Sequence, residues 1–334
     1  MSTAVARQRR MGRPRPILRM VAARAALGVM TLFLASLLVF VATEILPGNA
    51  AYAILGSSRT PQRLHALELA LHLNQSVPHQ YWTWISDLLR GNPGTSLASG
   101  QRVWSVVGPA LGNSVILVAI AGAVGATIGV GLGIAAASRR DGWLDHGLSL
   151  VALVVVALPE FLVAITLVVV FATVVSHVLP AISDIPPGTS PLADPTALVL
   201  PVGTLVLLIV PYIFRATRSA MIEALESEYV EMANLKGLRR SRVLYVHALP
   251  NAIAPVVQVI GLSLIFLAGG IVVVEQVFNY PGVGQALFNA VTDKDVPVIQ
   301  FIVIVLAAFY VVVNIVSDVV ALLATPRRRL PRAG

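Results

Sequence analysis

Three polar side chains stand inside long apolar runs, where such groups are costly and mark candidate functional sites. Asn314 and Asp318 are four residues apart in the run Pro297–Leu323, so a helix sets both on one face. That face can line a solute path or hydrogen-bond across helices, and the helix-to-helix role is the one we favour. Asp318 also lies close enough to the end of its run to reach water. Glu160 follows Pro159 in the run Leu148–Val178. A proline there frees backbone groups and kinks a helix, which leaves a gating or translocation-path role open for the carboxylate. Glu275 ends the run Ala254–Val274 and reads as a solvated helix end.

Metal and covalent chemistry find less support. His65, His72 and His79 recur every seven residues, a spacing that suggests a metal-collecting face. Pro78 interrupts any continuous helix through them, and side chains two turns apart do not share one ion. They read as surface histidines, with no metal bound. The chain has no cysteine, so disulfides, thiolate metal sites and cysteine nucleophiles are excluded. Its only lysines are Lys236 and Lys294, and neither follows a glycine, so no G-x-x-x-x-G-K-[ST] phosphate loop exists. ATP, if this protein uses it, is bound by another polypeptide. H-E-x-x-H and G-x-S-x-G motifs are also missing. The residues therefore point to no enzyme and to no cofactor bound by this chain.

The elements that must hold these residues are membrane spans. Over 334 residues the chain is 57% hydrophobic and 12% charged, with a mean hydropathy of +0.82. Soluble domains carry about 25% charged residues, so the lipid bilayer is the solvent. A spanning helix needs roughly 20 apolar residues, and six stretches qualify: Ala25–Thr43, Ser114–Ala137, Leu148–Val178, Ala197–Phe214, Ala254–Val274 and Pro297–Leu323. The runs are continuous and do not alternate, which excludes a β-barrel. The first run exceeds the core of a signal peptide and reads as an uncleaved span.

Counted by loop, 19 of the 24 basic residues fall on one side, with Arg59, Arg63, Arg90, Arg102 and Lys294 on the other. The rich side includes the N-terminus, Arg139–Arg140, the segment Arg215–Arg242 and the C-terminal Arg327, Arg328, Arg329 and Arg332. It is expected to be cytoplasmic, with both termini there. The formal charge of +8 is thus a topology signal, and nucleic acid is not an expected partner.

Between the first two spans, Leu46 to Gly112 exceeds what a connection requires. Thr60-Pro61 followed by QRLHALELALHL reads as a capped amphipathic helix, and His79 to Arg90 as a second, with Tyr81, Trp82 and Trp84 suited to the membrane edge. In the second span Gly125, Gly129 and Gly133 repeat every four residues, beside Gly122 and Gly131. The repeat is either a close-packing seam or ordinary glycine tolerance in lipid.

The most polar stretch in the second half of the chain is EYVEMANLKGLRRSRVLYVHALPNA, residues 228–252. Met221, Ile222, Leu225, Tyr229, Met232, Ala233 and Leu235 predict an apolar stripe along a helix, with Glu223, Glu226 and Glu228 on the wet side. Gly237 is a left-handed stop with Lys236 near the negative end of the dipole. A short helix, Arg240 to Ala248, is expected to end at a corner set by Pro250. The result is a rigid elbow suited to a lever, too short for a catalytic domain.

Glu231-Met232-Ala233, three residues, Gly237, nine residues, then His247-Ala248-Leu249-Pro250 resembles the E-A-A-x3-G-x9-I-x-L-P motif of permease subunits of binding-protein-dependent ABC importers. Met232 replaces an alanine and His247 an isoleucine, and HALPNA looks like the peptide/nickel branch. VVVEQVFNYPGVGQAL (272–287), LPGNAAYAILG (46–56) and LLRGNPGTSL (88–97) extend the resemblance over nearly the whole chain. It implies an all-α integral membrane protein with the six-helix type I importer architecture and an extra helical external segment after the first span. The implied parts are 1–46 (basic N-terminus and first span), 47–112 (external segment), 113–325 (five-helix core with the elbow at 215–251) and 326–334 (basic tail).

The implied function is a permease subunit in the bacterial plasma membrane, forming the path for di- or oligopeptides. Nickel- or glutathione-type cargo, and a stand-alone ion-coupled transporter, are the alternatives. Partners implied are a second homologous permease subunit, two ATPase subunits or one fused pair carrying ATP and Mg, and an extracytoplasmic solute-binding protein. Glu231, Met232, Ala233, Gly237, His247, Leu249 and Pro250 would form the ATPase-coupling site. Glu160, Asn314 and Asp318 are the candidates for path or gating.

Overall fold

A computed structural model of the chain describes residues 16–45, 61–62, 75–174 and 179–324. Among these, helices follow in the order α1 (Pro16–Ile45), α2 (Val77–Leu89), α3 (Val103–Ser138), α4 (Trp143–Ala157), α5 (Glu160–Leu167), α6 (Thr196–Leu225), α7 (Glu228–Leu235), α8 (Arg240–Val277), α9 (Val283–Thr292) and α10 (Val296–Ala324). The only strand-like pairing among the described residues is one bridge between Thr95 and Arg102. The helix predicted from Thr60 falls outside the described residues beyond Gln62. So do His65, His72, the stretch 46–56, and the basic residues before Pro16 and after Ala324.

Five helices, α1, α3, α6, α8 and α10, are long and apolar enough to cross a membrane. The run Leu148–Val178 is bent where Pro159 was expected to kink it, and far more sharply than a kink. It is broken into α4 and α5, with a π-helical continuation Val168–Val174, and the two halves meet at 107°. Pro159 explains the break: it has no N–H to donate and forces the preceding residue out of helical geometry. Leu158 and Pro159 accordingly have ψ of 133° and 144°. Counted as one span, the bent pair brings the total to six.

The interior is built on α3 and α6, which run together over their length. A Cβ placed on Gly125, Gly129 or Gly133 would stand 2.5, 2.8 and 2.5 Å from side-chain atoms of Ile209, Ile213 and Thr217. Glycines four apart on one helix therefore receive side chains four apart on the other, and the repeat is a packing seam. Gly131, on the far side of α3, meets nothing within 4 Å. Leu117, Leu205, Leu267, Ile271 and Phe278 fill the centre between α3, α6 and α8. On the outside, Leu27, Met30, Phe33 and Leu38 of α1 are all more than half exposed. Hydrocarbon covers such side chains without penalty, which is how a one-sided contact with α10 suffices to place α1.

Helix α2 lies beside α1: Phe40 contacts Tyr81 and Trp84 at centroid distances of 5.3 and 5.8 Å, and Tyr81 Oη shares a 2.8 Å hydrogen bond with Ser36 Oγ. Trp82 points away and is 69% exposed.

Candidate functional site

The elbow begins where α6 stops. Ser227 sits in extended geometry after Leu225 and receives the N–H groups of Val230 and Glu231 on its carbonyl at 3.0 and 3.1 Å, which starts α7. Past the end of α7, Gly237 takes φ +71°, and the chain turns back with Gly237 N–H on Asn234 O at 2.9 Å and Leu238 N–H on Ala233 O at 3.3 Å. This pair of bonds is the Schellman closure that a left-handed glycine permits. Val230 and Ala233 face inward with Met221, Ala224, Val243 and Ala248.

The break at Glu226–Ser227 rotates α7 relative to the stripe read from sequence. Met232 and Leu235, expected against the protein body, are 55% and 76% exposed, as are Tyr245 and Val246 of α8, each at 58%. Glu231, Gly237 and Pro250 are exposed too, His247 and Leu249 half-buried, and Ala233 buried. Glu223, Glu226 and Glu228 are exposed, as their wet-side placement requires.

The corner expected at Pro250 does not exist. Helix α8 runs from Arg240 through Pro250 to Val277, with a π-helical stretch at Val243–Ala248 just before the proline. A proline ring collides with the carbonyl four residues back and leaves it without a donor. The wider π turn makes room for the ring, and the sequence signal for a stop becomes a local change of pitch.

Ion pairs tie the elbow to the arginine-rich ends of the spans. Asp145, 2% exposed, accepts a two-pronged grip from Arg218, with Nε at 2.5 Å and Nη2 at 2.6 Å, and the Asp141 N–H at 3.0 Å. Arg140 pairs with Glu226 at the α6–α7 break, and Arg240 donates to the Ser138 carbonyl at the end of α3. Asp318 pairs with Arg24 of α1 at 2.6 Å, while the Asn314 amide donates to Tyr310 O of its own helix at 3.0 Å. The two residues read together from sequence thus make separate bonds, and Asp318 serves a helix-to-helix contact.

Glu160 opens α5 directly after the bend. Its Oε2 is enclosed without a hydrogen-bond partner, and a Cβ on Gly270 of α8 would run into this carboxylate.

The opposite end of the molecule holds two carboxylates whose roles the sequence did not disclose. Glu275 is fully buried, not solvated as expected. Its Oε1 accepts from Ser114 Oγ at 2.5 Å, and its Oε2 from the N–H groups of Gly284 at 2.6 Å and Gln285 at 3.3 Å, at the start of α9. Ser114 Oγ accepts the Val283 N–H in turn at 2.8 Å. A Cβ on Gly282 would strike the Glu275 carboxylate and one on Gly284 the backbone of Val272, so the P-G-V-G spacing is the readable trace of this packing. Tyr280 donates its buried hydroxyl to Asn113 O at 2.8 Å, and burial, with Glu275 alongside, pushes its phenol well above the usual range. Asp295 accepts from Ser96 Oγ and from the Leu97 N–H at 3.0 Å, fixing the loop before α3. Between these anchors opens a cavity of about 750 Å³, lined by Ser105, Asn113, Thr189, Gln285 and Asn289 among others.

A multi-pass helical scaffold with an anchored, outward-facing elbow at one end is a membrane transport component. Residues 129–330 match the family described as the binding-protein-dependent transport system inner membrane component, and residues 17–122 match the N-terminal part of such membrane components. The chain belongs to this family and is a permease subunit, a transport protein of the inner membrane and not a catalyst. It is 33% identical to the di/tripeptide transport system permease protein DppB of Pseudomonas aeruginosa, over 95% of this chain and 100% of that one. It is 33% identical to the dipeptide transport system permease protein DppB of Alkalihalophilus pseudofirmus, over 87% and 93%. A Brucella abortus protein with the provisional name of a peptide transport system permease is 32% identical over 92% and 97%.

Proposed function

We propose that this chain forms one half of the translocation path of an ATP-driven importer for di- and oligopeptides. Its elbow is the surface on which a separate ATPase seats. The observation that carries this reading is the elbow itself: Val230 and Ala233 anchor it, while Glu231, Met232, Leu235, Tyr245 and Val246 stand out from it uncovered. An exposed apolar patch rimmed by charge marks an interface. The names of the relatives support peptide as cargo. On this reading the arginine-rich end and both termini are cytoplasmic. The partners are a homologous permease, two ATPase subunits or a fused pair holding ATP and Mg, and an extracytoplasmic binding protein.

Gly237→Pro removes a φ that proline cannot reach, and Glu231→Lys reverses a charge on the outward face. Both variants are expected to insert into the membrane at wild-type level while losing co-purification of the ATPase and uptake of dipeptide. Normal co-purification from both refutes the docking assignment. Reconstituted alone, the chain should neither hydrolyse ATP nor accumulate solute. Proton-linked uptake by the chain alone refutes the ABC reading in favour of a secondary transporter.

A further inference from the structure

Across the six candidate spans, Arg24 and Asp318 pair with each other and Arg218 pairs with Asp145, while Glu160 Oε2, at the bend, has no partner. The apolar centres of α1, α3, α6, α8 and α10 contain no Asp, Glu, Lys, Arg or His, and the bent pair contains Glu160. Its depth follows from Gly270, the residue it packs on. Gly270 is seven residues before the end of α8 at Val277, or about 10 Å inside the arginine-poor end at 1.5 Å per residue. The carboxylate therefore lies about two helical turns in from that end of α8, at the break of a discontinuous helix. Broken helices at membrane depth are tolerated where they border a cavity or a solute site.

Among the described residues the other buried carboxylates are satisfied. Asp145 has Arg218, Glu275 has three donors, and Asp295 has a hydroxyl and backbone N–H groups. Glu160 Oε2 has none. Beside Gly270 the face of α8 is open: Leu262, Phe266 and Gly269 are exposed at successive turns, and Phe266 meets Tyr212 of α6 at 5.8 Å. A carboxylate oxygen without a partner, packed on Gly270 one turn along α8 from the exposed Phe266, is an arrangement that receives an ammonium group.

Resting on the permease reading above, we propose that Glu160 is the site in this chain that receives the terminal ammonium of the passing peptide. Gly270 is the space that lets the carboxylate reach α8, and the bend at Pro159 presents it. The peptide's cationic end exchanges water for Glu160 on entering the membrane and leaves it when the path opens to the other side.

The test uses the full assembly of this chain with its permease partner, ATPase and binding protein in proteoliposomes, with L-alanyl-L-alanine as probe. E160Q should cut uptake by about tenfold or more, the loss expected for a close charge pair. Binding-protein-stimulated ATP hydrolysis should stay at wild-type level, and E160D should recover part of the uptake. Wild-type uptake by E160Q overturns the proposal. So does loss of assembly or of ATP hydrolysis together with uptake, because Glu160 would then be a support for the bend.

A second measurement needs no variant and no transport. Dicyclohexylcarbodiimide should label Glu160, located by mass spectrometry, and labelling should slow with alanyl-alanine but not with N-acetyl-alanyl-alanine. Equal labelling with both also overturns the proposal. A wild-type assembly that imports no dipeptide refutes the peptide reading, and the labelling experiment then still decides Glu160.

Discussion

The seam between α3 and α6 makes opposite predictions for the same substitution at two nearby positions. Gly133→Ala adds a Cβ 2.5 Å from Thr217 Cβ and 2.9 Å from the backbone oxygen of Phe214, against an ordinary contact of 3.4–4 Å. A backbone oxygen in the middle of a helix cannot step aside, so α6 must move outward by about an ångström, loosening the contacts at Gly129 and Gly125 as well. Overpacking of this kind costs about 1–3 kcal/mol. At Gly131, two residues away on the same helix, an added Cβ meets nothing within 4 Å. There alanine gains helix preference, about 0.5–1 kcal/mol. The two variants should therefore differ by about 2–4 kcal/mol and lie on opposite sides of the wild type.

Unfolding of the detergent-solubilised protein by titrated sodium dodecyl sulfate, followed by circular dichroism, measures both. Pairing Gly133→Ala with Thr217→Gly removes the side-chain half of the clash but leaves the Phe214 oxygen, and should recover part of the loss, a coupling that independent sites do not show. If Gly131→Ala destabilises as much as Gly133→Ala, the effect belongs to glycine in the helix at large, and the seam carries none of it.

Two further tests address the polar anchors. Asp145→Asn leaves Arg218 without its carboxylate. Breaking a buried pair on one side costs about 3–5 kcal/mol, lessened here to about 2–3 because the Arg218 side chain keeps 29% exposure. Combining it with Arg218→Met should restore part of that stability in the same titration, and strict additivity refutes the pairing as the cause. Asp295→Ala should speed hydrogen exchange at Leu97 and Ala98, whose N–H groups it holds, and leave α3 and α6 unchanged. Unaltered exchange at these two residues means that the carboxylate is not what fixes the loop.

The long helices were legible because lipid demands consecutive apolar residues, and nothing else in the chain imitates that pattern. Gly237 was legible because a left-handed turn after a polar helix has few other solutions. The stripe through Met232 and Leu235 was misread for a definable reason. Its phase was carried from Met221 as if one helix ran through, and the new start at Ser227 reset the rotation. Pro250 was misread because a stop and a π-helical accommodation begin from the same clash. Glu275 and Asp295 had no local signature, since their partners Ser114 and Ser96 lie 161 and 199 residues away. Only the glycines of P-G-V-G hinted at a close approach. Glu160 was visible as an intramembrane carboxylate, but that it has no partner is a fact of packing.

The two ends of the molecule satisfy their carboxylates by different chemistry, and the difference bears on how a lever would work. At one end Asp145, Glu226 and Asp318 all use arginine; at the other Glu275 and Asp295 use hydroxyls and backbone N–H groups. The topology rule that concentrates arginine on one side leaves the far side little choice but neutral donors. Neutral bonds to backbone are buried and fix a loop in one geometry. The pair at the α6–α7 break, where the elbow begins, is open to water: Arg140 and Glu226 are 48% and 62% exposed. Exposed ion pairs are screened and contribute little. The polar link of the elbow to the spans at the α6–α7 break thus exchanges at low cost, while the polar links at the other end fix the loops around its cavity. A driven part that can shift against a frame that cannot is what a permease requires if docking at one end is to open the other.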